Sequence, residues 1–187
     1  SLKKMRSDQL GSLVIKEALK LSKFSSDEVD EVIIGQVLTA GAGQNPARQA
    51  AINAGIPISK PAHLVNQVCG SGLRAVISGY QSIKLGEASN VISGGQENMS
   101  ITPHSIFLRN ERKISEDRLI DTMINDGLMD AFHNYHMGVT AENVAKKFNI
   151  SRKEQQEFAI NSHLKANNAR ESKNFDDEII MIKHGEL

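Results

Sequence analysis

The sequence is poor in several residue types: its 187 residues include one cysteine, no tryptophan and four prolines. A single cysteine cannot form an internal disulfide, which favours a reducing compartment and predicts a cytoplasmic protein. No apolar run approaches the about 18 residues of a membrane span, and no signal-peptide pattern is present. Twenty-two basic and 22 acidic side chains leave a formal net charge of zero. We therefore expect neither nucleic-acid nor membrane binding.

The first half of the chain alternates between helix and strand patterns. Apolar spacing predicts helices over residues 8–21, 46–53 and 70–85, with Ser7 or Asp8, Pro46 and Gly86 as boundary signals. Short apolar runs predict strands over residues 32–38, 63–68 and 90–93. This alternation is typical of an α/β fold with a mainly parallel sheet covered by helices.

The second half has a different pattern. Residues 99–136 show no sustained period, which predicts a long excursion and not another βα unit. Helices follow over about 140–148 and 151–172, the second announced by a capping box from Ser151 to Glu154, and residues 176–182 predict a strand. The chain begins without methionine and stops after this apolar run, so we expect it to be part of a longer polypeptide.

Cys69 lies between a predicted strand and a predicted helix, in the sequence HLVNQVCGSGLRAV. A helix begins with unpaired N–H groups and a partial positive charge, which favour a thiolate. Gly70 and Gly72 would allow a substrate to approach the backbone closely. The alternative is an ordinary buried cysteine, which is common in proteins of this kind.

The same segment also fits a dinucleotide-binding fingerprint. Gly70, Gly72 and Ala75 satisfy G-x-G-x-x-A after a strand, and Glu97 lies beyond the next strand, where a ribose ligand would be sought. Asn66 and Gln67 argue against this hypothesis, because such a strand normally keeps apolar residues there. A cysteine directly before the first glycine is better explained as a nucleophile.

A nucleophilic thiol needs more than a helix N-terminus. A free thiol is only a few per cent thiolate at neutral pH, and the helix contributes about 0.3–1 kcal/mol. We therefore expect a base partner, most often histidine. Six histidines are present, and none has a spacing that identifies it as the partner: His63, His104, His133, His136, His163 and His184.

Four segments of the sequence closely resemble thiolases, the acetyl-CoA acetyltransferase branch in particular. They are GQVLTAGAGQNPARQAAINAG, NQVCGSGLRAV with NVISGGQENMS, and LIDTMINDGLMDAFHNYHMGVTAENVAKKFNISRKEQQEFA. The resemblance implies that Cys69 attacks an acyl-CoA thioester, and that a second acetyl-CoA then attacks the acyl-enzyme to give acetoacetyl-CoA, or the reverse. It also implies the Cys69 N–H as an oxyanion donor, and CoA thioesters as substrates with no further cofactor and no metal.

The resemblance also implies roles for residues away from Cys69. Leu128, His136 and Met137 match positions that line the CoA pantetheine and acyl pocket, and Met137 would restrict the acyl group to acetyl. Gln44, Asn45 and Arg48 look like a phosphate cluster, but the resemblance makes them structural. The segment 105–118 matches a tetramerisation loop, so the intact protein is expected to be a homo-oligomer, a dimer or tetramer.

The resemblance covers only the first half of a thiolase. It implies a thiolase N-terminal domain over residues 1–98, lacking a first strand expected mid-sheet, and part of an inserted α+β loop domain over residues 99–187. The histidine that activates the nucleophile and the cysteine that acts as general base would both follow Leu187. We therefore expect no condensing activity from these residues alone. The alternative function is a non-catalytic CoA-binding or interaction module.

Overall fold

The computed structural model describes residues 2–109 and 119–182. The chain forms two compact units, Ser1–Met129 and Asp130–Leu187. The division predicted from sequence, between residues 98 and 99, stays a prediction. Of the expected tetramerisation loop, residues 110–118 lie outside the described residues, as does His184.

A three-stranded parallel sheet forms the centre of the first unit. Its strands are β1 (Glu31–Gly35), β2 (Ala62–Val65) and β3 (Val91–Gly95), in the order β2-β1-β3. β1 pairs directly with both neighbours, so the expected mid-sheet strand does not fit between them and can join this sheet only at an outer edge. The predicted α/β fold with a parallel sheet is confirmed.

Helices cover both faces of this sheet. α1 (Ser7–Ser22) and α2 (Pro46–Asn53) pack with Val32 and Ile34 of β1 in one apolar cluster. The intervening Ile33 is 1% exposed and points to the other face, where α3 (Ser71–Leu85) contacts β1 and β3. Because both faces of β1 are covered, its apolar run is continuous and not alternating.

Local signals define the start of α2 and the end of α3. Pro46 occupies the first turn of α2, and the Asn45 side chain accepts a hydrogen bond from Arg48 N–H at 3.2 Å. Gly86 follows α3 with a φ of 75°, the left-handed conformation that a terminating glycine supplies. The predicted cap of α1 was wrong: Arg6 precedes the helix, and Asp8 binds the Arg6 guanidinium at 2.8 Å.

The predicted excursion contains a small hairpin and a short helix. After a 3₁₀ turn at Met99–Ile101, β4 (His104–Ser105) pairs antiparallel with β5 (Ile120–Asp121). Asp121 then caps α4 (Thr122–Gly127) by accepting hydrogen bonds from Met123 N–H and Ile124 N–H. Sequence periodicity did not predict α4, because six residues are too few to show a helical pattern.

The second unit contains α5 (Met137–Lys147) and α6 (Arg152–Glu171). The predicted capping box at Ser151 and Glu154 is present. The strand predicted over residues 176–182 was wrong: turns end at Glu178, and residues 179–182 form no regular structure. A strand needs a partner for its N–H and C=O groups, and the described part of this unit offers none.

No helix in the described ranges combines the length and the hydropathy that are needed to cross a bilayer.

Candidate active site

The three parallel strands end at one edge of the sheet. Gly35 of β1 is in register with Val65 of β2 and Gly95 of β3. The loops that follow carry Cys69 after β2 and Glu97 after β3. Ligands of parallel α/β sheets bind outside the carboxyl ends of the strands, so the structure places Cys69 where a substrate site is expected.

Glycines allow α3 to begin directly against this edge. A methyl group built on Gly35 would lie 2.5 Å from the backbone N of Gly72, and one on Gly95 would lie 3.5 Å from the Gly72 Cα. No side chain fits at Gly35 unless the backbone moves. The first turn of α3, and with it Cys69, is therefore seated on the end of β1.

Cys69 is exposed at the end of a tight turn. Val68, directly before it, has a φ of 49°, a left-handed conformation that is an outlier for a β-branched residue. The Asn66 Oδ1 accepts a hydrogen bond from Val68 N–H at 3.0 Å. The Ser71 hydroxyl donates to the Val68 carbonyl at 2.6 Å and accepts from Gln67 N–H at 2.9 Å. The alternative that Cys69 is a buried thiol was therefore wrong, and its reactivity stays a prediction.

Gly70 and Gly72 were expected to let a substrate approach the backbone, and this stays a prediction. Gly70 has an ordinary φ of −87°, and a methyl group on it would lie 3.3 Å from the Gln67 carbonyl oxygen. A methyl group on Gly72 would lie 4.0 Å from the Gly95 Cα. At this edge of the sheet the closest backbone contact is at Gly35, which the sequence analysis did not single out. Its signal was a glycine ending a buried apolar strand, a pattern that indicates close backbone approach.

Glu97 binds the protein backbone. Its Oε2 accepts hydrogen bonds from Val37 N–H at 2.9 Å and Leu38 N–H at 3.3 Å. Glu97 Oε1 is buried without a hydrogen-bond partner among the described residues. A carboxylate engaged in this way braces the loop after β1, and this argues against its hypothetical use as a ribose ligand.

The two histidines of the first unit pair with carboxylates. His63 Nδ1 lies 3.2 Å from Glu31 Oε1, and His104 Nε2 lies 4.0 Å from Asp121 Oδ2. Each contact uses one ring nitrogen, and neither of these two histidines forms a hydrogen bond with Cys69. These observations agree with the expectation that neither histidine serves as the base for the thiol.

Asn45 and Arg48 hold backbone in place. The Arg48 guanidinium donates to the carbonyls of Ile58 and Lys60, and Asn45 Nδ2 donates to the Ala62 carbonyl at 2.9 Å. These bonds tie the start of α2 to the segment that enters β2. The geometry supports the structural interpretation of both residues over a phosphate cluster.

Leu128 ends α4 in the first unit. It is half-buried, and its N–H donates to the Ile124 carbonyl at 2.9 Å. A methyl group on the neighbouring Gly127 would lie 3.5 Å from Leu38 Cδ2. The end of α4 is thus beside the loop that Glu97 braces.

His136 and Met137 lie in the second unit, at the start of α5. The His136 Nδ1 accepts a hydrogen bond from Gly138 N–H at 3.0 Å and so caps the helix. This side-chain acceptor sets the start of α5 at Met137, three residues earlier than predicted. The Met137 side chain is 44% exposed.

Among residues 2–109 and 119–182, no group of three or more His, Cys, Asp or Glu side chains has the geometry of a metal site.

Comparisons with known proteins identify relatives across nearly the whole chain. The family model described as thiolase, N-terminal domain, matches residues 1–186. An acetyl-CoA acetyltransferase from Cupriavidus necator is 51% identical over 183 residues, which are 97% of this chain and 47% of the relative. A cytosolic acetyl-CoA acetyltransferase from Rattus norvegicus is 52% identical over 173 residues, 92% of this chain and 44% of that protein. The chain spans about half the length of the curated relatives it matches.

A solved structure shows the same fold. The crystal structure of Acat5 thiolase from Ascaris suum in complex with coenzyme A matches with a TM-score of 0.92 and 36% identity. The match covers 97% of this chain and 47% of that structure.

Proposed function

Since the chain belongs to the thiolase family, we propose that it is the nucleophile-bearing half of an acetyl-CoA C-acetyltransferase. The main support for this proposal is that Cys69 is exposed on a tight turn, at the edge of the sheet where three parallel strands end. The relatives from Cupriavidus necator and Rattus norvegicus are both named for this activity.

The proposed reaction is covalent acyl transfer. The Cys69 thiolate attacks the carbonyl carbon of acetyl-CoA, a new C–S bond forms, and CoA leaves as a thiolate that takes up a proton. A second acetyl-CoA, deprotonated at its α-carbon, attacks the acetyl group and releases Cys69 with formation of acetoacetyl-CoA. The Cys69 N–H donates to the oxyanion that forms in each step. The same steps in reverse give thiolysis.

The base for this chemistry is proposed to lie outside the chain. His63 and His104, the histidines of the first unit, form no hydrogen bond with Cys69, and a thiol at a helix N-terminus alone remains mostly protonated. The purified chain is therefore expected to form no acetoacetyl-CoA. Turnover of acetyl-CoA by the chain alone would contradict this.

Leu128, His136 and Met137 are proposed to contact coenzyme A and the acyl group. The exposed side chain of Met137 at the start of α5 supports this, as does the solved thiolase that contains coenzyme A. A methionine beside the acyl group leaves little room, which favours acetyl over longer acyl chains. No cofactor beyond the CoA thioesters is proposed.

The intact protein is proposed to be a cytoplasmic homo-oligomer, a dimer or tetramer. The cytosolic name of the rat relative supports the location. Several apolar side chains of α3 are exposed, and they support contact between this helix and protein outside the chain: Leu73, Val76, Ile77, Tyr80, Ile83 and Leu85.

The proposal is tested by incubating the chain with acetyl-CoA and measuring intact mass, followed by peptide mapping. An acetyl adduct on Cys69, absent in Cys69→Ser, is the expected result. Binding of CoA by both forms with no adduct on either would favour the alternative, a non-catalytic CoA-binding module.

A further inference from the structure

The turn before Cys69 holds a residue in a conformation that it does not favour. Val68 has a φ of 49°, where a β-branched side chain crowds its own backbone. Such a conformation persists only when the surrounding structure holds it. Val68 is itself 48% exposed, so packing of its side chain contributes little.

Two side chains, one on each side of Val68 in the sequence, form hydrogen bonds that stabilise its left-handed backbone. Asn66 Oδ1 accepts from Val68 N–H at 3.0 Å, and the Ser71 hydroxyl donates to the Val68 carbonyl at 2.6 Å. Ser71 is 4% exposed and also accepts from Gln67 N–H at 2.9 Å. Its own N–H reaches the same Val68 carbonyl at 3.1 Å. Both peptide groups of Val68 are therefore bonded.

We propose that Asn66 and Ser71 are positioning residues that hold Val68 left-handed and thereby fix where the Cys69 sulfur lies. The proposal rests on the proposed function of Cys69 as the acyl-carrying nucleophile. Neither side chain touches the reacting atoms in this role, since both act through the backbone of Val68.

Acyl transfer is sensitive to such positioning. The sulfur must approach the thioester carbon along a narrow path, and a misplacement of about 1 Å can cost about 100-fold in rate. Alkylation by iodoacetamide, a small and freely diffusing reagent, requires only an exposed thiolate. The ratio of the two rates therefore reports position separately from exposure.

Asn66→Ala is the first variant, because Asn66 is exposed and its removal should leave the fold intact. We expect acetylation of Cys69 by acetyl-CoA to slow about tenfold or more, while alkylation changes by less than about twofold. Ser71→Ala is expected to act in the same direction. Asn66→Asp is the control: it keeps the oxygen that accepts from Val68 N–H but loses the Nδ2 donor that binds the Val37 carbonyl at 3.5 Å. Its negative charge disfavours the thiolate and lowers both rates, so the ratio of acetylation to alkylation should stay close to the parent value.

The decisive variant is the double substitution Asn66→Ala with Val68→Asn. Asparagine adopts the left-handed conformation more readily than valine does. If Asn66 acts by holding Val68, the added substitution should restore most of the acetylation lost in Asn66→Ala. Failure to restore it, or an unchanged rate in both alanine variants, would overturn the proposal.

The outcomes also separate this inference from the proposed function. A parent chain that is alkylated at Cys69 but never acetylated would refute the proposed function. Hydrogen exchange of the Val68 amide then tests whether Asn66 stabilises the backbone conformation of Val68. Asn66→Ala should accelerate this exchange and Asn66→Asp should not; equal exchange in all three proteins would overturn the inference.

Discussion

Gly35 lies so close to Ser71 that a methyl group on Gly35 would be 2.4 Å from the Ser71 carbonyl carbon. The two residues are separated by 36 positions in sequence, and their contact seats α3 on the end of β1. We expect Gly35→Ala to lower the free energy of unfolding by about 1–3 kcal/mol, because backbone must move to admit the methyl group. Urea unfolding of the purified chain measures this.

Gly94→Ala is the matched control for this substitution. Gly94 lies in β3, and a methyl group there would have no neighbour within 4 Å among the described residues. Its unfolding free energy should stay within about 0.5 kcal/mol of the parent value. Equal losses in the two variants would show that the contact with Ser71 is not the cause.

Arg48 is expected to contribute to stability and not to ligand binding. Arg48→Met removes the hydrogen bonds to the Ile58 and Lys60 carbonyls, at a cost of about 1–3 kcal/mol in unfolding free energy. Calorimetric affinity for CoA should not change. Arg74→Met, at an exposed position of α3, provides the stability control. A loss of CoA affinity in Arg48→Met without a loss of stability would restore the interpretation as a phosphate cluster.

Asp30 gives the fold a dependence on pH. Hydrogen bonds from Ser89 N–H, at 2.8 Å, and from Asn90 N–H hold the pKa of the Asp30 carboxyl below its usual value of 3.8. The folded state thus favours the ionised form, so the stabilisation is complete above the usual pKa and is lost as pH falls through the lower folded value. Asp30→Asn should be less stable than the parent at pH 7, and this difference should shrink toward pH 3.

Urea midpoints at the two pH values test the Asp30 prediction. Asp27→Asn, an exposed carboxylate three residues earlier, should show little difference from the parent at either pH. A stability deficit in Asp30→Asn that is the same at pH 7 and pH 3 would mean that charge is not involved.

His136 combines a local structural role with a proposed role in CoA binding, and two variants separate them. Asparagine is a good helix cap, so His136→Asn should keep α5 stable, whereas His136→Ala should destabilise it by about 1 kcal/mol. CoA affinity should fall in both variants if the imidazole contacts the ligand. Thermal unfolding and titration calorimetry measure the two effects. Unchanged CoA affinity in His136→Asn would limit His136 to capping.

Signals that act over a few residues were predictable from sequence. Pro46, Gly86 and the Ser151–Glu154 box each define a helix end within one turn, and each was found where expected. Their physics is local: a fixed φ, a tolerated left-handed φ, or a side chain that reaches the nearest free N–H.

Features that depend on distant residues were not predictable. The first strand was expected to reach Leu38, but it ends at Gly35, and Glu97 then binds the N–H groups of Val37 and Leu38 from 60 and 59 positions away. The left-handed Val68 contradicts the preference of its own side chain. Cys69 could be chosen as the candidate nucleophile from its motif, whereas the turn that presents it required the structure.

The order β2-β1-β3 has a consequence for synthesis of the chain. β1 is made first but lies between two strands that are made later, so its second edge is unpaired until residue 95 has been added. Those 60 further residues take roughly 3–12 s at about 5–20 residues per second. During that interval the apolar run Val32–Ile33–Ile34 is open to other chains and to chaperones on the nascent polypeptide.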